Sequence, residues 1–292
     1  MIKDNRRESQ NPLGSKTKFY RTIILLRVSA LDDQYQVYIN RLMGMIRLEH
    51  YQNQWNHIQP SPKFEVAADG TIQPVVFPGY SIITPPGTED PLNAGFFSQL
   101  ETMQRQIWDS AQGLADGLAV ALPAQTFHLT IADLIWDANY RQQIQNIHDY
   151  EVRLQNAIAD IFSLQQTTGR PILLRVLGFI VMTRAIAVCL APNTETDYQQ
   201  ILNLRRSLYQ NPGLLALGMD QQYNFTAHIT LGYFSQPEGR SRDAAQFSQY
   251  LDHLNDAFLE DFPEFQLQTV ELRKFENMTH FSRQPSWPTW SF

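Results

Sequence analysis

The sequence is poor in cysteine, with a single one, Cys189, in 292 residues. One cysteine cannot close a disulfide within the chain, which fits a protein of a reducing compartment. Cys189 lies in an apolar run typical of a buried strand, where cysteine packs as a small hydrophobic residue. The first residues are charged and lack the apolar segment of a secretory signal peptide. We therefore expect a cytoplasmic protein.

The sequence also lacks an excess of positive charge. Its 23 Lys and Arg residues stand against 29 Asp and Glu residues, which gives a formal net charge of −6 and a calculated pI of 5.6. Proteins that wrap long nucleic acid normally carry a basic stripe. We therefore expect no long nucleic acid as a partner.

Two further absences bear on whether the protein holds a metal ion and on whether it spans a membrane. No cluster of Cys and His has the spacing of a zinc site, and no apolar run reaches the length needed to span a membrane. We therefore predict no metal, no cofactor and no membrane partner, while the oligomeric state stays open. With 43% hydrophobic residues the chain can bury a substantial core.

The sequence does contain a repeated motif. Residues 126–132 read Thr-Phe-His-Leu-Thr-Ile-Ala, and residues 226–232 read Thr-Ala-His-Ile-Thr-Leu-Gly. Polar and apolar residues alternate in both copies, which predicts two half-buried strands with one apolar and one polar face. The residues predicted on the polar faces are Thr126, His128 and Thr130 in the first copy and Thr226, His228 and Thr230 in the second.

Imidazoles beside hydroxyl groups suit acid–base chemistry on a phosphate ester. Because an imidazole titrates near neutral pH, one His can take a proton from water while another gives one to a leaving oxygen. Hydroxyl groups can donate hydrogen bonds to the phosphate oxygens. A third triplet, His280-Phe281-Ser282, lacks the long alternation and is not included in the predicted site. Arg184 and Tyr233 are left out as well, since strict alternation turns Tyr233 toward the core.

The elements around the two motifs follow a similar order. A strand and a helix precede each motif strand and another helix follows it, which predicts two half-units about a pseudo-two-fold axis. Their motif strands would face each other across one cleft. The predicted helices cover 32–55, 96–118, 140–166, 197–209 and 242–260, and the predicted strands outside the motifs cover 80–84, 172–177, 185–190 and 265–275.

The paired His-x-Thr motifs resemble those of the 2H phosphoesterase superfamily, which includes LigT-like RNA 2′,3′-cyclic phosphodiesterases. The resemblance covers roughly residues 71–292, and residues 69–83 look like the start of an uncharacterised cyclic-phosphodiesterase-like subgroup. It implies an α+β, bilobal fold of two pseudo-symmetric half-units, each with an antiparallel sheet and flanking helices, around an active cleft. It also implies that His128 and His228 are catalytic and that Thr130 and Thr230 bind the phosphate.

The predicted domains are a partly helical N-terminal extension over residues 1–65 and a 2H phosphoesterase-like domain over residues 66–292. The expected function is metal-independent hydrolysis of a 2′,3′-cyclic or related phosphate on a nucleotide or RNA end. An alternative is a non-catalytic module that binds a nucleotide or RNA end and whose extension docks a partner. A third hypothesis is a metal hydrolase that uses His128 and Asp133 together with distant His residues, although a regular strand would place His128 and Asp133 on opposite faces.

Overall fold

The repeated motifs lie on two separate sheets. A computed structural model of the chain describes residues 33–109, 118–235, 244–259 and 261–292. The strands are β1 (Phe64–Val66), β2 (Ile72–Pro74), β3 (Gly79–Ile83), β4 (Ala119–Ala121), β5 (Thr130–Trp136), β6 (Ile172–Val181), β7 (Ala185–Pro192), β8 (His228–Phe234), β9 (Phe265–Leu267), β10 (Thr269–Asn277), β11 (His280–Ser282) and β12 (Thr289–Ser291). The α-helices are α1 (Tyr35–Met45), α2 (Leu48–Trp55), α3 (Ala94–Asp109), α4 (Asp137–Asn146), α5 (Tyr150–Ser163), α6 (Glu195–Tyr209), α7 (Pro212–Ala216) and α8 (Ala244–Phe258), and 3₁₀ turns cover Gly87–Glu89, Pro91–Asn93 and Ala124–Thr126. None of these helices is long and apolar enough to cross a membrane.

Each motif strand belongs to its own five-stranded sheet. In the first sheet the strand order is β11-β10-β3-β5, with β12 also paired to β10, and β5 carries the end of the first motif. In the second sheet the order is β4-β8-β7-β6-β9, and β8 carries the second motif. The pairs are antiparallel, with Tyr80 opposite Ile135 in the first sheet and Cys189 opposite His228 in the second. The predicted α+β fold of antiparallel sheets with flanking helices is confirmed.

The two sheets are not built from consecutive halves of the chain. The single strand predicted over 265–275 is in fact two strands, because β9 pairs with β6 in the second sheet and β10 pairs with β3 in the first. The chain crosses between the sheets at Gln268, whose carbonyl accepts a hydrogen bond from the Phe292 N–H at 2.9 Å. In return, β4 from the first half pairs with β8 in the second sheet. The second half of the chain therefore adds β10 to the first sheet, and the first half adds β4 to the second sheet.

Two of the predicted long helices are each divided in two. The helix predicted over 32–55 is interrupted at Arg47, whose backbone is extended. The helix predicted over 140–166 is interrupted at Asp149, whose φ of 59° lies in the left-handed region. Apolar residues continue at helical spacing across both interruptions, so the periodicity could not reveal them. The helix predicted over 96–118 corresponds to α3, and most of its predicted last residues lie outside the described ranges.

Helices α1 and α2 pack against the second sheet. Tyr38 and Leu42 of α1 are fully buried, and the Tyr38 ring stacks on the Tyr198 ring of α6 with centroids 4.4 Å apart. In α2, the Tyr51 hydroxyl donates a hydrogen bond to the Phe179 carbonyl of β6 at 2.5 Å. This part of the predicted extension is thus joined to the core. The domain boundary near residue 65 stays a prediction, and residues 1–32 lie outside the described ranges.

Candidate active site

Both motif strands begin later than the sequence predicts. Regular pairing starts at Thr130 in β5 and at His228 in β8. In the first copy a 3₁₀ turn precedes the strand, and the Thr126 hydroxyl donates a hydrogen bond to the Pro123 carbonyl at 2.7 Å. In the second copy the Thr226 hydroxyl accepts a hydrogen bond from Arg41 at 2.9 Å. The hydroxyl groups of the two outer threonines are thus both engaged within the protein, Thr126 with its own turn and Thr226 with helix α1.

The alternation nevertheless separates a buried face from a cleft face, as predicted. The apolar residues of both copies are fully buried: Phe127, Leu129, Ile131, Ala227, Ile229 and Leu231. His128, Thr130, His228 and Thr230 are half-buried, and all four line one cavity of about 760 Å³. The structure therefore brings together the four side chains of the predicted site, two from each motif.

The two imidazoles are oriented in the same way. Nδ1 of His128 lies 2.7 Å from the Thr126 carbonyl oxygen, and Nδ1 of His228 lies 2.7 Å from the Thr226 carbonyl oxygen. Because a carbonyl can only accept, Nδ1–H donates in each neutral ring, and Nε2 keeps a free lone pair. The His128 ring also packs edge-on against Phe281, with centroids 4.6 Å apart. Nε2 is thus the nitrogen that each ring offers to a ligand.

Burial lowers the pKa of both imidazoles, because the charged ring loses its hydration. The pKa of His128 falls to about 4, and that of His228 falls as well. The motif carbonyls and the Asp133 carboxylate oppose both shifts, whereas the Lys63 charge adds to the shift of His228 and the Arg273 charge to that of His128. Both rings are therefore neutral near pH 7 in the free protein.

Each motif strand has an irregular register just after its His-x-Thr. The pairing of β5 with β3 shifts across Ile131, and the pairing of β8 with β7 shifts across Leu231. An extra residue in one strand reverses the alternation of the side chains beyond it. Asp133 and Tyr233, which are equivalent in the two copies, consequently line the cavity. The prediction that strict alternation turns Tyr233 to the core and separates Asp133 from His128 is wrong for this reason.

Two buried polar side chains support these irregular segments. Arg205 of α6 donates a hydrogen bond from Nη1 to the Ile131 carbonyl. Gln104 of α3 donates from Nε2 to the Leu231 carbonyl at 2.7 Å and to the Leu122 carbonyl at 2.8 Å. Both side chains are buried, so they satisfy carbonyls that solvent cannot reach. No local sequence pattern could single them out, because the paired residues are 74 and 127 positions apart.

Two further cations line the cavity. Lys63 places Nζ 3.3 Å from the Tyr233 hydroxyl and 4.9 Å from the centroid of the Tyr233 ring. Arg184, in the turn between β6 and β7, also lines the cavity. Arg184 and Tyr233, which sequence reasoning left out, therefore belong to the site. Lys63 lies in a loop without periodicity, so its sequence context carried no signal.

The metal hydrolase hypothesis lacks a ligand set in the described part of the chain. His128 and Asp133 do line one cavity, but no group of three or more His, Cys, Asp and Glu side chains is placed there to hold a metal ion. The Asp133 carboxylate accepts hydrogen bonds from the Ser81 hydroxyl at 2.9 Å and from the Tyr223 hydroxyl. Cys189 is fully buried, and burial raises the pKa of its thiol to about 12, which makes it a poor nucleophile.

Of the third triplet, His280-Phe281-Ser282, only the central residue lines the cavity. His280 is exposed in β11 and is not among the residues that line the cavity, whereas Phe281 lines it and contacts His128. Leaving His280 out of the predicted site therefore agrees with the geometry, and His280 becomes a natural control position.

Comparisons with known proteins establish a likeness of fold. No family model matches the sequence, and no curated protein matches it. Among solved structures, the conserved protein of unknown function ATU0111 from Agrobacterium tumefaciens str. C58 matches with a TM-score of 0.51 and 16% identity, over 78% of this chain and 94% of that chain. LigT from E. coli complexed with 3′-AMP matches with a TM-score of 0.41 and 12% identity, over 74% of this chain and 98% of that chain. The chain thus shares its overall fold with the Agrobacterium protein, and the two-sheet α+β architecture implied by the resemblance to the 2H phosphoesterase superfamily is confirmed.

Proposed function

We propose that the protein is a metal-independent phosphodiesterase that hydrolyses a 2′,3′-cyclic or related phosphate on a nucleotide or an RNA end. The observation that carries this proposal is the matched pair of imidazoles. His128 and His228 each engage Nδ1 with a carbonyl at 2.7 Å and leave Nε2 free in one cavity. Two rings with the same orientation, one from each motif, suit an acid and a base on opposite sides of one phosphorus atom.

In the proposed reaction, one neutral imidazole accepts a proton at Nε2 from a water molecule while the water oxygen forms a bond to phosphorus. The bond from phosphorus to the leaving sugar oxygen breaks, and the other imidazole, in its protonated form, gives its Nε2 proton to that oxygen. The hydroxyls of Thr130 and Thr230 donate hydrogen bonds to the non-bridging oxygens, whose charge changes in the transition state. Proton exchange with solvent then returns the base imidazole to its neutral form and the acid imidazole to its protonated form.

Three cations line the cavity, Lys63, Arg184 and Arg205, against the two carboxylates of Asp133 and Asp137, and this balance favours a phosphate. The buried Arg205 guanidinium lines the cavity and donates to the backbone carbonyls of Ile131 and Tyr223 rather than to a carboxylate, so its charge remains available to an anion. A bound phosphate raises the pKa of both imidazoles and so promotes the protonated ring that the acid step needs.

The proposal is tested by hydrolysis of 2′,3′-cyclic nucleotides in EDTA, with the products identified. We expect turnover to survive EDTA and to fall by roughly 10²–10⁴-fold in His128→Ala and in His228→Ala. His280→Ala is the matched control, since this exposed imidazole belongs to a similar triplet, and it should keep full activity. Loss of activity in EDTA, or full activity in His128→Ala, would refute the proposal. Tight binding without any product would instead favour the binding-module alternative.

A further inference from the structure

A second pocket adjoins the catalytic cavity on the side of His228. Its volume is about 520 Å³, and it shares His228, Thr230 and Tyr233 with the main cavity. Lys63 and Arg184 line both spaces. A ligand whose phosphate lies between the two motif strands can therefore extend past His228 to these two cations.

Backbone contacts hold Lys63 in place at this pocket. The Ser61 N–H donates a hydrogen bond to the Phe234 carbonyl at 2.8 Å, and the Lys63 carbonyl accepts one from the Val75 N–H at 3.1 Å. The ammonium group lies over the Tyr233 ring, 4.9 Å from its centroid. The loop that carries Lys63 is thus tied to the end of the second motif strand, so the cation is positioned before any ligand arrives.

Arg184 is held in a similar way by neutral partners. Its carbonyl accepts a hydrogen bond from the Phe234 N–H at 3.0 Å, and its Nη2 donates to the Gln59 side-chain oxygen at 3.1 Å. The Gln59 N–H in turn donates to the Thr183 carbonyl at 2.8 Å. The guanidinium is therefore oriented without being neutralised.

Neither cation has a carboxylate partner within the described part of the chain. The side-chain contacts of Lys63 are the hydroxyl and ring of Tyr233 and the ring of Phe77, and the side chain of Arg184 contacts Gln59. In a chain with a net charge of −6, two positioned and unpaired cations beside one pocket create a local site for an anion. In the proposed reaction, Arg205, Thr130 and Thr230 bind the phosphate that lies between the imidazoles. Lys63 and Arg184 can therefore bind a different anionic group.

We infer that the pocket lined by Lys63 and Arg184 binds a second anionic group of the substrate, a phosphodiester or a terminal phosphate next to the phosphate that is cleaved. The inference rests on the proposed function for the position of the cleaved phosphate. The preferred substrate then carries at least two phosphates, as an oligonucleotide end or a nucleotide with an additional phosphate does, and a cyclic mononucleotide is the poorer substrate.

The test measures binding of product-like ligands, so that it does not depend on turnover. Isothermal titration in EDTA compares a nucleoside 3′-phosphate, its 3′,5′-bisphosphate, a dinucleotide 3′-phosphate and the same dinucleotide with an uncharged methylphosphonate linkage. We expect a second charged phosphate to tighten binding about tenfold and the methylphosphonate to remove that gain. The bisphosphate and dinucleotide arms distinguish a terminal phosphate from a phosphodiester.

Variants assign the effect to the two cations. Lys63→Met and Arg184→Met should each reduce the gain from the second phosphate while changing the affinity for the nucleoside 3′-phosphate less. Arg175→Met is the matched control, because Arg175 is an exposed cation of the same sheet that is not among the lining residues of either pocket. This variant should keep the whole gain.

The outcomes separate this inference from the proposed function. Equal affinity of the wild-type protein for all four ligands overturns the inference, and so does an equal loss of affinity for every ligand in the Lys63 and Arg184 variants. If cyclic phosphates are hydrolysed but the second phosphate adds nothing, the proposed function stands and the inference falls. If the second phosphate tightens binding but no cyclic phosphate is opened, the second anion site stands and the proposed hydrolysis falls.

Discussion

The pH dependence of hydrolysis tests the two imidazoles most directly. The proposed reaction needs one neutral ring and one protonated ring. Burial lowers the pKa of His128 to about 4 and also lowers that of His228 from the usual 6.5. In the free protein, the required combination of states is most populated between these two pKa values. We therefore expect kcat/KM to be highest on the acid side of pH 6.5.

The size of the effect follows from simple titration. Above the higher of the two pKa values, each pH unit removes about nine-tenths of the protonated ring, so kcat/KM falls about tenfold per unit. Below the lower pKa the base becomes protonated, and kcat/KM falls again. In the complex the phosphate anion raises both pKa values. The optimum of kcat should therefore lie at higher pH than the optimum of kcat/KM.

The assay is the initial rate of ring opening of a cyclic nucleotide at constant ionic strength in EDTA, from about pH 4 to about pH 9. Asp133→Asn is the informative variant. Burial is the main cause of the lowered pKa values, and the Asp133 charge opposes it for both rings. Loss of that charge should move the kcat/KM optimum to lower pH. An optimum above the usual imidazole pKa of 6.5, or an unchanged profile in Asp133→Asn, would contradict the reasoning.

Two further predictions concern the support of the site and its hydroxyl groups. Gln104→Met removes two buried hydrogen bonds to backbone carbonyls and should lower the free energy of unfolding by about 1–3 kcal/mol. Urea denaturation measures this, and equal stability of the variant and of the exposed control Gln106→Met would show that the reasoning is wrong. Thr130→Val and Thr230→Val keep the shape of the side chain and lose the hydroxyl, so kcat should fall by roughly 10–100-fold with a smaller change in KM. A raised KM with unchanged kcat in steady-state kinetics would mean that the hydroxyls bind the substrate without acting in the transition state.

The sequence was sufficient to predict the faces of the two motifs. In an extended chain, neighbouring side chains point to opposite sides whatever the strand pairs with. Phe127 and Ile229 are therefore buried, and His128 and His228 face the cleft, even though regular pairing begins only at Thr130 in the first copy. The lengths of the helices were less predictable, since one extended or left-handed residue can interrupt a helix without disturbing its apolar spacing.

The order of the strands in the two sheets could not be predicted from the sequence, for a different reason. The apolar run over 265–275 looks continuous, and its division between two sheets depends on which strands are available at each edge. The same holds for β4, whose three residues complete the second sheet rather than the first. A strand can pair with segments far away in the chain. The alternation of polar and apolar residues in one strand carries no information on which strand pairs with it.

What the sequence by itself determined is which side chains of the two motifs share a face, because that depends on neighbours along the chain. What only the tertiary structure decided is the set of charges around them. Asp133 reaches the cavity through a register shift that a distant Arg205 supports, and Lys63 reaches it from a loop bound to the end of β8. These contacts join segments that no local pattern relates, so the electrostatics of the site exists only in the folded chain.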